Sequence, residues 1–266
     1  MFENPVLRKE LFLRLRIRQM SVLSRWIGSI TAGILISWIY ISILRWVFTD
    51  ASSRTGSDVW SACIVLQVAI TCLLAPAVAA NSITQEKEQQ TWDMLIFTRL
   101  TPQEIVFGKL IARYAVLIFI NMLFMPIQLA GWMRSPHDVT FLTFGLTEML
   151  LLISGLFFTT FGLFMSWLLN RTLFAIMCSY SFVVGGLIII TSLITAMLSF
   201  FAADDMFTKS PLMWLNPVMM TYEAMNPHDN ANTVFFLAFG LLSYLILTAL
   251  LVWRMVVGFR RFALMA

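Results

Sequence analysis

Charge, histidine and cysteine are all scarce in this chain. Aspartate, glutamate, lysine and arginine make up 12% of its 266 residues while 59% are hydrophobic, and a soluble globular domain carries about twice that charge. The two histidines, His137 and His228, stand apart in short polar stretches, and Ser154-Gly155 has no basic partner. A nucleophile–base pair is therefore missing, which argues against an intramembrane enzyme. Cys63, Cys72 and Cys178 all fall inside apolar runs. They read as small apolar fillers and give neither a disulfide framework nor a metal site. A phosphate-binding G-x-x-x-x-G-K-[ST] loop is absent too. Gly108-Lys109 has Gln103 where the first glycine belongs and Leu110 where Ser or Thr belongs.

What the chain has instead is long apolar runs. Six stand out, near 26–48, 59–81, 105–131, 140–169, 172–201 and 233–257. About 20 residues at 1.5 Å rise cross a hydrocarbon core of roughly 30 Å, so each is long enough to span. They are solidly apolar rather than alternating, which selects helices over a barrel. Of the 18 Lys and Arg residues, Arg45, Arg54, Arg134 and Lys209 fall on one side of this six-span layout. The remaining 14 fall on the side of both termini, so the positive-inside rule places the termini in the cytoplasm. The net charge of +4 then reflects topology and anionic headgroups, and nucleic acid is not an expected partner. Trp26, Trp46, Trp60, Trp132, Trp167 and Trp253 sit near span ends, where indole prefers the interface. The polar lead of about 25 residues exceeds an n-region, so no cleavable signal peptide is expected.

Asn4-Pro5 supplies a cap and a first-turn proline for a helix in residues 1–25. Leu11, Phe12, Leu15, Val22 and Leu23 share one face of it. Arg14, Arg18 and Arg25 flank that face on one side, Lys9 and Arg16 on the other, with Arg8 in the first turns. Bases beside an apolar stripe snorkel to lipid phosphates, which favours an interfacial elbow helix. A plain basic anchor ahead of span one is the alternative.

The densest internal charge lies in NSITQEKEQQTWDMLIFTRLTPQEIVFGK, Asn81 to Lys109, with residues 82–104 between spans two and three. Ser82 or Thr84 can cap a short helix there, with Gln85 as capping-box partner of Ser82. Glu86, Lys87, Glu88, Gln89 and Gln90 make its polar turn, and Trp92, Leu95 and Ile96 follow at i, i+3, i+4 spacing. Thr101-Pro102-Gln103-Glu104 then starts a new helix, with Thr as cap, Pro first and Glu third. Read without further context, this is an amphipathic loop helix that solvates a connection.

The same segment resembles the loop between spans two and three of ABC-2 type transporter permeases. The residues that carry the likeness are Glu86-Lys87-Glu88, Thr91, Met94-Leu95-Ile96, Leu100-Thr101-Pro102 and Glu104-Ile105-Val106-Phe107-Gly108-Lys109. Asn4-Pro5-Val6-Leu7-Arg8-Lys9-Glu10-Leu11 is similar to the family's opening, and the six-span layout extends the likeness along the chain. Gln89-Gln90 departs from it, standing where the family has a basic residue and glycine; without that glycine a straighter helix is expected. The resemblance implies a permease subunit, an exporter more than an importer, in the cytoplasmic membrane. It also implies a dimer with a second permease copy or homologue, and a separate ATPase subunit that holds the ATP-Mg. Residues Gln85, Glu86, Lys87, Glu88, Thr91, Trp92 and Leu95 would form the coupling helix that docks on that ATPase. Glu86 and Glu88 would meet the ATPase's basic groups or helix N-termini, so that reversing their charge uncouples without unfolding. This chain itself is expected to bind no cofactor and no metal.

Within the spans, Glu148 is the one acid at depth, with Gln67, Asn121 and Gln128 as candidates for the same polar layer. A pathway role and an interhelical hydrogen-bonding role both remain open for them. Small-xxx-small steps at Gly28/Ala32, Ser29/Gly33 and Ala75/Ala79 offer close helix contacts for a dimer, and Pro76 and Pro126 kinks in spans two and three. Residues 202–232 carry Ser210-Pro211, Asn216-Pro217 and Asn226-Pro227, predicting one or two short outer helices near 211–225. The expectation is one all-α polytopic membrane domain over 1–266: an elbow helix, spans one and two over 26–81, the coupling segment, spans three to five over 105–201, the outer helices, then span six and a basic tail over 233–266. An ion-coupled secondary transporter and a membrane scaffold that recruits a soluble partner are the competing functions.

Overall fold

The structure is a computed structural model describing residues 55–91, 101–134, 140–201, 215–225 and 230–265, with most of 37–49. Among these residues helix is the only extended regular structure. The helices are α1 (Thr55–Ala80), α2 (Thr84–Glu88), α3 (Pro102–Arg134), α4 (Phe141–Leu168), α5 (Thr172–Tyr180), α6 (Thr191–Phe201), α7 (Pro217–Met225) and α8 (Asn230–Met265). A π-helical stretch, Ser181–Ile190, joins α5 to α6 without a break. Among the described residues five helices are long and apolar enough to cross a membrane: those carrying α1, α3 and α4, the run Thr172–Ile194, and Leu237–Phe259 within α8. They mark a multi-pass membrane protein. Leu173, Phe174, Met177, Phe119 and Met122 are among the large apolar side chains left exposed on the bundle. In water such a surface would be costly, whereas in lipid it is solvated.

These helices match spans two to six of the sequence reading. Of the expected first span, the described residues between 37 and 49 are helical; the rest lies outside the described residues. So do Arg8, Lys9, Arg14, Arg16 and Arg18 of the expected interfacial helix. Span five differs from expectation in its winding, since ten consecutive residues are π-helical, a form usually confined to single turns. The outer segment gives one described helix, α7, started by Asn216-Pro217 as the capping pattern predicts. Asn216 Oδ1 accepts the Val218 amide at 3.0 Å, while its Nδ2 donates to Thr191 Oγ1 at 2.9 Å. Tyr244 of α8 holds the same corner through the Leu215 carbonyl at 2.7 Å.

α4 sits at the centre of the bundle, packed against α1, α3, α5 and α8. Among the described residues the apolar interior falls into two large clusters along its length, with a small third at Val59 and Ile127. One gathers Trp60–Ala75 of α1, Leu117 of α3, Phe144–Phe158 of α4, Met220 and Ala224 of α7, and Leu237 and Tyr244 of α8. The other, at the α2 end, gathers Ala79, Ile83, Val106, Leu110, Leu163, Met255, Val256 and Phe259. On α1 the boundary falls at Pro76, which cannot donate to the Cys72 carbonyl. Tyr180 donates to the neighbouring Leu73 carbonyl at 2.6 Å. Gly162 of α4 makes the boundary tight: a Cβ there would lie 2.9 Å from the Pro76 carbonyl oxygen and 3.0 Å from the Ala79 Cβ. Ala75 and Ala79 are fully buried inside the chain. That corrects their reading as a dimer contact, because the small residues serve the α1–α4 crossing instead.

Gly162→Ala should therefore destabilise the protein by about 1–3 kcal/mol, since backbone rather than a mobile side chain blocks the methyl. Gly145→Ala, on the same helix with nothing within 4 Å, should be neutral or slightly stabilising. Thermal unfolding of the two purified variants against the parent checks both.

Candidate functional site

The charged triplet Glu86-Lys87-Glu88 forms the body of α2, a helix of 5 residues. Successive residues on a helix diverge by about 100°, so three adjacent charges reach three different neighbours. Glu86 Oε2 lies 2.8 Å from Lys109 Nζ of α3, whose side chain is 1% exposed. The pair is ionic by distance, and its angles are not those of a hydrogen bond. Lys109 Nζ also donates to the Ser82 carbonyl at 3.0 Å. Lys87 Nζ donates to the Trp167 and Leu169 carbonyls at 2.6 and 3.0 Å, at the C-terminal end of α4. Glu88 Oε1 accepts the Thr172 amide at 2.7 Å, at the N-terminal end of α5.

The last two contacts follow from helix electrostatics. The final carbonyls of α4 and the first amides of α5 have no intrahelical partners, and each helix end carries a partial charge. Leu169–Arg171 turns so tightly that both ends face α2. Arg171 occupies the cap position of α5 without a side-chain capping bond, and Glu88 supplies one from another helix. The start of α2 is satisfied reciprocally. Ser166 Oγ of α4 accepts both the Ile83 and Thr84 amides at 2.9 Å, while Thr84 Oγ1 donates back to the Ala80 carbonyl at 3.0 Å. This corrects the expected Ser82–Gln85 capping box: Ile83 takes the cap position, with no side-chain bond of its own.

Two further expectations need correction. α2 ends at Glu88, and Gln90 adopts φ 56°. The Gln90 amide meets the Lys87 carbonyl at 3.2 Å and the Thr91 amide meets the Glu86 carbonyl at 3.0 Å, the two bonds of a Schellman stop. The helix therefore breaks where glycine was missed, with glutamine bearing the left-handed strain, rather than running straighter. Moreover, Glu86 and Glu88 are engaged inside the chain. Charge reversal at Glu86 would place a second cation beside buried Lys109, so it would damage the fold as well as any docking.

The expected Thr101–Glu104 capping box is present. Glu104 Oε2 accepts the Thr101 amide at 2.8 Å, and Thr101 Oγ1 accepts the Glu104 amide at 3.3 Å. Gln85, Gln89, Gln90 and Thr91 are exposed beyond the junction, as are Gln103 and Arg171. Trp92 and Leu95 lie outside the described residues.

The mid-bundle candidates do come together. Gln128 Nε2 of α3 donates to Gln67 Oε1 of α1 at 2.7 Å, and Gln67 Nε2 reaches the Asn121 carbonyl at 3.4 Å. Glu148 of α4 interacts with Gln128, and its Oε1 is buried without a hydrogen-bond partner among the described residues. Both glutamines are fully buried. They act as interhelical bonds within one chain and, with Glu148, join α1, α3 and α4 near Pro126. Two apolar recesses open on the bundle. One of about 330 Å³ lies between α1, the π-helical stretch and α7, and the other, of about 630 Å³, between α3 and α8. Among the described residues no cluster of His, Cys, Asp and Glu is arranged to hold a metal ion. Neither a protein-family model nor a curated protein matches the sequence.

Sequence reasoning missed Lys109 as an internal partner, Ser166 as a cap acting across helices, and the α4–α5 turn as a binding surface. Lys109 carried a signal, a cation one turn inside an apolar run that holds only one other, Arg113. Ser166 and the turn carried none. Lys109→Met should cost about 3 kcal/mol by leaving Glu86 uncompensated, and adding Glu86→Gln should restore more than half of it. Gln90→Gly should gain about 1 kcal/mol by relieving the left-handed strain. Equilibrium unfolding in detergent reads all three.

Proposed function

We propose that the chain is the permease subunit of an ATP-binding-cassette transporter, an exporter that works as a dimer and is driven by a separate ATPase. The observation that carries this reading is the α2 junction. A short polar helix between two candidate spans, α1 and α3, is bonded to three long helices at one end of the bundle, with Gln85 and Gln89–Thr91 facing outward. A displacement delivered to that edge would reach α3, α4 and α5 together, which is what a coupling helix must accomplish. The likeness of Glu86–Lys109 to the ABC-2 loop supports the same reading, as does the absence of a phosphate-binding loop in the sequence.

On this reading the α2 end faces the cytoplasm of a cell membrane. Among the described residues the docking surface consists of exposed Gln85, Gln89, Gln90 and Thr91. Glu86, Lys87 and Glu88 hold that surface in place from behind. The apolar lining of both recesses favours a lipophilic or amphipathic cargo, with Glu148, Gln67 and Gln128 as the polar layer beside its path.

A mild-detergent pull-down of the tagged protein from native membranes tests the assignment. A stoichiometric P-loop ATPase should follow it and be lost when Gln85 and Gln89 are both replaced by Arg, with the unfolding temperature unchanged. Recovery of the chain alone, under conditions that preserve a known transporter complex, would overturn the reading.

A further inference from the structure

The two apolar clusters and the polar contacts of α2 divide the bundle at the same level. On α1 the division lies between Ala75 and Ala79, on α3 between Leu110 and Leu117, and on α4 between Phe158 and Leu163. The ion pair and hydrogen bonds of the triplet described above stay on the α2 side of that level. They tie Glu86 to Lys109, Lys87 to Trp167 and Leu169, and Glu88 to Thr172, while Ser166 holds Ile83 and Thr84. The crossing point itself is the weakest place in the α1 backbone. Pro76 removes one helical hydrogen bond there, and Gly162 presents no side chain to interlock with it. At the far side of the level, Tyr180 and the π-helical stretch that follows it give α5 an irregular wall.

We infer that α2, the first turns of α3, the α4–α5 turn and the last turns of α8 form one cooperative unit, hinged to the rest of the bundle at the Pro76–Gly162 contact. α8 joins the unit through Met255, Val256 and Phe259. Gly258 gives it a notch, since a Cβ there would overlap the Trp167 ring. The division of labour is physical. Inside the unit, the Lys109–Glu86 pair and the Ser166 caps are buried and resist separation, because breaking them leaves buried polar groups without partners; the half-buried Lys87 bonds and the exposed Glu88–Thr172 bond add weaker ties. At the hinge itself α1 and α4 meet as Pro76 backbone against Gly162, with no side chain of Gly162 to interlock, so the two parts can tilt there about the Phe161–Phe182 stack and the Tyr180–Leu73 bond. α2 therefore does not slide against α5 or α3; it carries them. This goes with the coupling role proposed above, yet the cooperative unit is a property of the isolated chain.

Hydrogen–deuterium exchange on the purified full chain in lipid nanodiscs tests it with no ATPase present. Glu88→Gln weakens one bond of the unit and Ser166→Ala removes the two amide bonds at the start of α2, and both are mild enough to fold. In either variant, amides in 82–88, 105–110 and 169–175 should exchange faster together, by about tenfold. Amides in 144–158 and 217–224 should keep their parental rates. In a Pro76→Ala background, which restores the α1 hydrogen bond, the Glu88→Gln effect should spread into 144–158. Faster exchange confined to 82–88, or spread over the whole bundle with Pro76 intact, would overturn the inference. Neither result bears on whether an ATPase binds, which the pull-down decides separately.

Discussion

A lysine ammonium that is 1% exposed has to be neutralised where it lies, and the Lys109–Glu86 contact meets that demand. α3 is 33 residues long, roughly 50 Å at 1.5 Å per residue, so both its ends outrun a hydrocarbon core. Lys109 stands about 10 Å in from the helix start by the same rise, near the depth where lipid headgroups give way to chains. Unpaired there, the ammonium would draw water into the bundle or swing out of it. Paired, it fixes where α2 can sit. That position in turn brings Lys87 and Glu88 to the α4–α5 turn. Removing the first contact thus unsettles the other two, although neither of them touches Lys109.

The turn between α4 and α5 has the complementary problem. Two long helices meet within three residues, and their ends leave carbonyls and amides that the turn itself cannot satisfy. Here a cation on the carbonyl end and an anion on the amide end supply partners matched to each helix's partial charge. The order acid-base-acid is required by geometry: the base must reach the end of α4 while the acids on either side reach Lys109 and the start of α5. With this use for all three charges, the motif has a structural reason independent of any partner.

The long helices could be read from composition and run length, because the bilayer allows few alternatives to a spanning helix once a run is solidly apolar. Caps with both partners nearby in sequence were legible too, as with Thr101–Glu104 and Asn216-Pro217. Bonds across helices were not. Ser166 caps α2 from 82 residues away along the chain, and a serine near the end of an apolar run looks the same whatever it bonds. Lys87 and Glu88 looked like free, solvated charges for the same reason: their partners are backbone groups, which have no side-chain signature. Gln90 misled in another way. Glycine is preferred at a Schellman stop but not compulsory, and with α2 held by its neighbours a glutamine takes the left-handed conformation at modest cost.

Glu86, Lys87 and Glu88 each bond within the chain, so their charge supplies stiffness to α2. A helix of 5 residues cannot hold its form alone, as isolated helices below about 12 residues are marginal; α2 exists because three neighbours hold it. The same bonds that make so short a helix stable also oblige those neighbours to move with it. A docking element built this way needs no stiffness of its own, and the force it receives is borne by the ends of the long helices behind it.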